Sequence, residues 1–244
     1  MLSSKEFKNG MSHLRHPTKS DCLVQLHRMG VPMGDILDVG VHFCTPELMT
    51  AFKDHHHVLM EPVDEHSEAI KRIYSEAKIS HELLNVAVSN EDGETSLKVS
   101  TAYGDKGITH SNIVAGAPAG DGYRTVPTIK LSTVVNQRQL KEPFFLKIDV
   151  DGAEVLVLEG AKDILSKCSV VMIEVGIGNF IERTKMLIEA GFRAFDLCGL
   201  SYYNGHFVQA DMVFLNNELV PEKEFFRFKG GFSGSLWQNY VPEQ

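Results

Sequence analysis

The chain has 244 residues, enough for one large α/β domain with a well-buried core. Apolar residues make up 43% and charged residues 23%, as in ordinary globular proteins, and the formal net charge of −8 argues against a nucleic-acid partner, which needs a basic face. Cys22, Cys44, Cys168 and Cys198 form no CxxC pair, no apolar run reaches the length of a membrane span, and the first residues lack the apolar core of a signal peptide, so the expectation is a cytoplasmic protein without a zinc site, disulfide framework or membrane span.

Short apolar runs alternate with helix-like segments, the pattern of parallel βαβ units. Ser20 or Asp21 is expected to cap a first helix that stops at Gly30. Ile36 to Gly40 reads as a buried strand, followed by a helix start in which Thr45 is the N-cap, Pro46 the first helical residue and Glu47 sits near the positive end. His57 to Glu61 is a second strand, Asp64 to Ala77 a charged helix with apolar Ala69, Ile70 and Ile73, and Leu83 to Val88 a third strand. Ser96 to Ser100 and Val126 to Leu131 read as short strands around a loop rich in Gly, His and Asn, an insertion before a fourth strand at Phe144 to Val150. A helix at Ala153 to Ser166, a fifth strand at Val170 to Val175 and a helix at Ile181 to Ala190, stopped by Gly191, come next. Phe192 to Leu197 and Met212 to Leu215 complete the sheet as an antiparallel pair joined through Tyr202 to Gly205.

Open α/β sheets bind ligands beyond the carboxyl ends of their strands. The first strand ends in Asp38-Val39-Gly40, where Gly40 allows close approach of a ligand and Asp38 offers an acceptor. The second ends in Glu61, an acidic residue placed to accept from the two hydroxyls of a ribose. The bland alternative is a Gly turn and an exposed Glu. The turn Gly40-Val41-His42-Phe43-Cys44-Thr45 holds one glycine and lacks the G-x-G-x-x-G cradle of a pyrophosphate, which points to S-adenosylmethionine rather than a dinucleotide.

The blocks ILDVG, MEPVDEH, NVAVSNEDGETSLKV, FFLKIDVDGAEVLVLEGAKDIL and VVMIEV resemble, in order, those of FkbM-family methyltransferases, over roughly residues 36 to 215. The resemblance implies a Rossmann-like class I methyltransferase fold: a seven-stranded, mostly parallel α/β sheet with one antiparallel strand and helices on both faces. It divides the chain into an N-terminal helical segment (1–34), the methyltransferase domain (35–220) and a C-terminal segment packed on it (221–244). It implies S-adenosylmethionine as cofactor, with Asp38 and Gly40 bordering the methionine part, Glu61 holding the ribose, and Asn85 to Ala87 near the adenine. His42 and Cys44 depart from the family turn, which has Asn and Gly there; His42 is expected to serve as a polar contact in place of the Asn.

Family members methylate oxygen, so the expected acceptor is a hydroxyl of a sugar, glycan precursor or other small molecule. A protonated alcohol is a poor nucleophile and needs a base or metal. Lys147, Asp149 and Asp151 fall at i, i+2 and i+4, on one face if the strand stays regular, and Glu154 lies in the next helix's first turn. Asp149 is the favoured catalytic carboxylate, with Lys147 and Glu154 as partners; alternatively Lys147 and Asp149 are a buried pair and Glu154 a helix-terminus charge. Glu174, ending the fifth strand, points toward the same edge or is no more than its rim. A Mg²⁺ site at Asp149, Asp151 and Glu154 is disfavoured for want of a third ligand of fixed geometry. His55-His56-His57 reads as a solvated turn, His110, Ser111 and Asn112 as a polar loop, and Phe225, Phe226, Phe228, Phe232 and Trp237 as packing for the final segment. The rival functions are a non-catalytic S-adenosylmethionine-binding protein and a nucleotide-dependent oxidoreductase.

Overall fold

The structure, a computed structural model, describes residues 15–100, the backbone of 110–113, and residues 120 and 122–221. In chain order the elements are α1 (Lys19–Arg28), β1 (Ile36–Val39), α2 (Pro46–Ala51), β2 (His57–Met60), α3 (Ser67–Glu76), β3 (His81–Leu84), β4 (Ala87–Val88), β5 (Gly93–Ser100), β6 (His110–Ile113), β7 (Tyr123–Ile129), α4 (Leu131–Asn136), β8 (Phe144–Ile148), α5 (Glu154–Gly160), β9 (Cys168–Gly176), α6 (Phe180–Glu189), β10 (Phe192–Tyr203) and β11 (His206–Asn216).

Seven strands form one sheet in the order β10-β11-β9-β8-β1-β2-β3. The pairings from β3 across to β9 are parallel, and β11 runs antiparallel to both β9 and β10. The chain begins in the middle with β1, builds outward to β3, and then returns to the other side of β1 as β8. This reversal opens a crevice at the carboxyl ends of β1 and β8. The arrangement is the expected Rossmann-like class I methyltransferase fold.

Every residue of β1, β2 and β8 is buried, which is why these strands read as continuous runs rather than alternating ones. Leu37, Val39, Leu146, Ile148, Val171 and Ile173 pack with α4, α5 and α6 on one face. On the other face Ile36, Phe145, Val170 and Met172 pack against Cys22, Leu23 and Leu26 of α1 and Leu48 of α2. Truncating a fully buried leucine such as Leu23 to alanine costs about 2–5 kcal/mol at such a site. Among the described residues no helix is long and apolar enough to cross a membrane.

The structure corrects several expected boundaries. Thr18, not Ser20 or Asp21, caps α1: its hydroxyl accepts from the Asp21 N–H at 3.1 Å. The expected third strand divides, β3 ending at Leu84 and Ala87–Val88 pairing with β7 instead. The insertion forms its own four-stranded sheet, β4-β7-β5-β6, over a small cluster of Val63, Ala87, Leu97 and Val126. The helix expected to reach Ser166 stops at Gly160. The final hairpin is much longer than its apolar signal, because its outer part, with Tyr202 and Tyr203 64% and 79% exposed, carries no burial pattern to read.

Candidate active site

β1 and β8 lie side by side with Asp38 opposite Lys147. Both are buried, so each charge depends on the other; removing one leaves an uncompensated ion. The Lys147 Nζ donates to the Gly40 carbonyl oxygen at 2.6 Å and lies 3.3 Å from Asp38 Oδ1 and 3.6 Å from Asp149 Oδ2. Burial pulls the Lys147 ammonium down, but Asp38 and Asp149 outweigh it and hold it above the ordinary lysine range. Lys147 is therefore a fixed cation at neutral pH. The other Asp38 oxygen accepts from the Thr45 hydroxyl at 2.7 Å. Thr45 precedes α2 as expected but makes no side-chain cap bond, because its hydroxyl is turned to Asp38.

The turn after β1 contains two left-handed residues, Gly40 (φ 81°) and His42 (φ 56°). A Cβ on Gly40 would lie 1.8 Å from the Asp149 carbonyl oxygen. Glycine is thus required for β1 to close against the end of β8, a constraint separate from ligand approach. The left-handed His42 directs its N–H to Glu61 Oε2 at 2.7 Å, while Glu61 Oε1 accepts from the Val63 N–H at 3.0 Å. The rings of His42, Phe43 and His66 pack together with centroids 4.1 to 4.7 Å apart, and His66 Nδ1 lies 3.6 Å from Glu61 Oε1. Asn85 stays beside Glu61, donating to the Ser67 hydroxyl at 2.6 Å and towards the Glu61 carbonyl at 3.4 Å. Ala87 instead belongs to the core of the small sheet.

Asp149, just past β8, lines a cleft of about 190 Å³ together with Lys19, Gly40, His42, Cys44, Glu47 and Lys147. Burial pushes the Asp149 carboxyl up, but Lys147, Lys19 and a hydrogen bond from Glu174 outweigh it and hold it below the usual carboxylate range. Glu174, on β9, is pushed up to about 8 by burial and by the Asp149 charge. Asp151 does not share the Lys147–Asp149 face: β8 has ended, and Asp151 adopts φ 52° in an exposed turn. Glu154 is fully buried, ion-paired with Arg183, and accepts from the Val150 and Gly152 N–H groups at 3.3 and 3.2 Å. It braces the turn that carries Asp149.

Two residues missed in the sequence complete the cluster. Lys19 Nζ lies 2.8 Å from Asp211 Oδ2, 3.7 Å from Glu47 Oε1 and 4.0 Å from Asp149 Oδ2. Gly199 (φ 63°) makes room for this pair, since a Cβ there would fall 2.7 Å from Asp211 Oδ2. Signals existed: Lys19 continues the buried stripe of Cys22, Leu23 and Leu26, and Asp211 alternates with Val213 and Leu215.

The three adjacent histidines diverge. His56 Nδ1 meets the Ser80 hydroxyl at 2.8 Å, His57 Nε2 meets the Phe52 carbonyl at 3.0 Å, and His55 Nδ1 contacts the Gly34 carbonyl. Among the described residues no three His, Cys, Asp or Glu side chains converge for a metal ion. The side chains of His110, Ser111 and Asn112, and residues 222–244 with Phe225, Phe226, Phe228, Phe232 and Trp237, lie outside the described residues.

The methyltransferase FkbM domain matches residues 38–201. The chain belongs to the FkbM methyltransferase family. No curated protein matches it by sequence. Solved structures similar to this FkbM-domain chain include a precorrin-6y C5,15-methyltransferase from Geobacter metallireducens GS-15, at 8% identity and TM-score 0.44 over 81% of this chain and 86% of that one. Magnesium protoporphyrin IX methyltransferase from Synechocystis PCC 6803, with bound SAM, gives 8% identity and TM-score 0.47 over 81% and 77% of the two chains. An rRNA methylase from Streptococcus thermophilus gives 12% identity and TM-score 0.45 over 85% and 99%. Lys19 and Asp211 both fall outside the residues matched by the FkbM domain.

Proposed function

We propose that the protein is an S-adenosylmethionine-dependent O-methyltransferase acting on a hydroxyl of a sugar, glycan precursor or other small molecule. The observation that carries this reading is the Asp149 carboxylate, held ionised between two lysines at the carboxyl edge of β8 and open to the cleft beside the Gly40 turn. The donor set fits the cofactor. Glu47 suits a ligand bearing an ammonium, and Lys19 suits its carboxylate. The Gly40–His42 turn and Asp38 border the methionine part. Each Glu61 oxygen, although already accepting one backbone N–H, keeps a further lone pair for a ribose hydroxyl. Asn85 lies next to Glu61 on the adenine side, while Ala87 would support that side only through packing.

When bound, the cofactor supplies a methyl group activated on a sulfonium. The chain's own task is then to position the acceptor and take its proton. Asp149 is the base within reach of the cleft; Lys147 orients it and, as a fixed cation, has no free pair to accept a proton. Glu154 acts only through the turn it braces.

Calorimetry with S-adenosylmethionine, its demethylated product and NAD, followed by turnover on a panel of hydroxyl-bearing sugars and metabolites, tests the reading. Binding of the first two and methyl transfer to oxygen support it. Tighter binding of NAD would replace it with the oxidoreductase reading, and cofactor binding without turnover of any acceptor would leave a binding protein.

A further inference from the structure

Asp149, Glu174 and Asp211 come from three neighbouring strands at the carboxyl edge. Ile148 pairs with Ile173 in the parallel β8–β9 ladder, which sets Asp149 beside Glu174, and Glu174 pairs directly with Asp211 of β11. Adjacent strands lie about 4.8 Å apart, so three carboxylates in a row cannot all be charged unless cations stand between them. The cations present are engaged on either side of Glu174. Lys147 faces Asp149 at 3.6 Å, Lys19 faces Asp211 at 2.8 Å and Asp149 at 4.0 Å, and Arg183 pairs with Glu154 while donating to the Glu174 backbone carbonyl at 2.7 Å. The Glu174 carboxyl group meets the Gln209 side-chain amide at 3.3 Å and shares a hydrogen bond with Asp149.

We propose that Glu174 works as a neutral carboxylic acid that donates a hydrogen bond to Asp149 and so presents the Asp149 carboxylate to the acceptor hydroxyl. This positioning role rests on the O-methyltransferase reading. In the transfer, the acceptor O–H bond breaks and its proton passes to Asp149, the acceptor oxygen gains the methyl group, and the electron pair of the broken carbon–sulfur bond stays on sulfur. Glu174 keeps its own proton throughout. Burial, and after it the negative charge of Asp149, Glu154 and Asp151, defers the ionisation of Glu174 to about pH 8. Above that pH Glu174 ceases to donate and repels Asp149, so the arrangement fails on the alkaline side.

The test compares wild type, Glu174→Gln and Glu174→Ala. For wild type, kcat should decline above about pH 8. Glu174→Ala should lose about tenfold in kcat, the worth of one hydrogen bond, with KM for S-adenosylmethionine unchanged. Glu174→Gln, which donates through its amide and does not titrate there, should recover most of that loss and show no decline. A decline that persists in Glu174→Gln, or a wild-type kcat in Glu174→Ala, overturns the proposal. Carbon-13 NMR of glutamate-carboxyl-labelled protein, with Glu174→Gln assigning the resonance, needs no acceptor. Titration in the ordinary carboxylate range sinks the proposal by itself. Titration near 8 in a protein that binds S-adenosylmethionine but methylates no hydroxyl would instead overturn the O-methyltransferase reading, and the positioning role with it.

Discussion

Lys147 reaches across from β8 and donates to the Gly40 carbonyl oxygen, 2.6 Å away, at the point where β1 gives way to the turn. The same ammonium lies 3.3 Å from Asp38, which is fully buried. One cation therefore neutralises a core carboxylate and ties the turn to the strand bearing Asp149.

Replacing Lys147 with methionine should destabilise the chain by about 3–5 kcal/mol, because Asp38 is left buried without its counter-charge. Adding Asp38→Asn should recover much of that loss. Urea unfolding of the single and double variants checks both statements. A loss below about 1 kcal/mol would mean that water or another group takes over the role of Lys147.

Glu61→Ala should weaken S-adenosylmethionine binding by roughly 1–3 kcal/mol, the scale of charge-assisted hydrogen bonds. It should also lower stability, since the His42 and Val63 N–H groups lose their acceptor. Calorimetry and thermal melts separate the two effects. Unchanged affinity in a folded variant would remove Glu61 from the ribose position.

Asp149→Asn should bind the cofactor nearly as well as wild type and lose on the order of 10²–10⁴ in turnover, the range for a general base. Activity should survive excess chelator. Loss restored by Mg²⁺ would make Asp149 a metal ligand, and normal turnover on a confirmed acceptor would make it structural.

The raised Glu174 carboxyl also affects folding. Between its ordinary value of 4.5 and about 8, the folded chain holds a proton that the unfolded chain has released, so stability falls as pH rises through that window. Asp149 acts in the opposite sense: its lowered value contributes stability that is lost as pH falls below the ordinary carboxylate range. The urea midpoint of wild type should therefore drop between pH 5 and pH 8 more than that of Glu174→Gln. Parallel curves for the two proteins would refute the assignment.

The central strands were legible because burial on both sides makes apolar runs of β1, β2, β8 and β9. Asp38, Gly40, Glu61 and Asp149 stand out in the sequence because each sits where such a run ends. Position within the cluster was not legible. Whether Lys147 is a base or a fixed cation depends on Asp38 and Gly40, more than a hundred residues earlier in the chain. Asp151 left the expected face because a left-handed turn cut the alternation, and Glu154 was claimed by Arg183, a partner that spacing does not reveal. Thr45 likewise gave up its cap for Asp38, a buried charge outweighing a local hydrogen bond.

The docking of α1 has a consequence for the order of assembly. The start of the described chain is held by its end: the Pro17 carbonyl accepts from the Gly199 N–H at 2.9 Å, Arg15 pairs with Asp196, and Lys19 pairs with Asp211. A chain still emerging from the ribosome can lay down β1, β2 and β8 and pack the apolar face of α1 against them, but these three ties wait for the last hairpin. Until Asp211 arrives, Lys19 lacks its nearest partner, and Asp149 has Lys147 beside it but no second cation held in place. The Lys19 side of the cleft is thus finished last, by the meeting of the two ends of the described fold, and an incomplete chain carries Asp149 and Lys147 with that side still open.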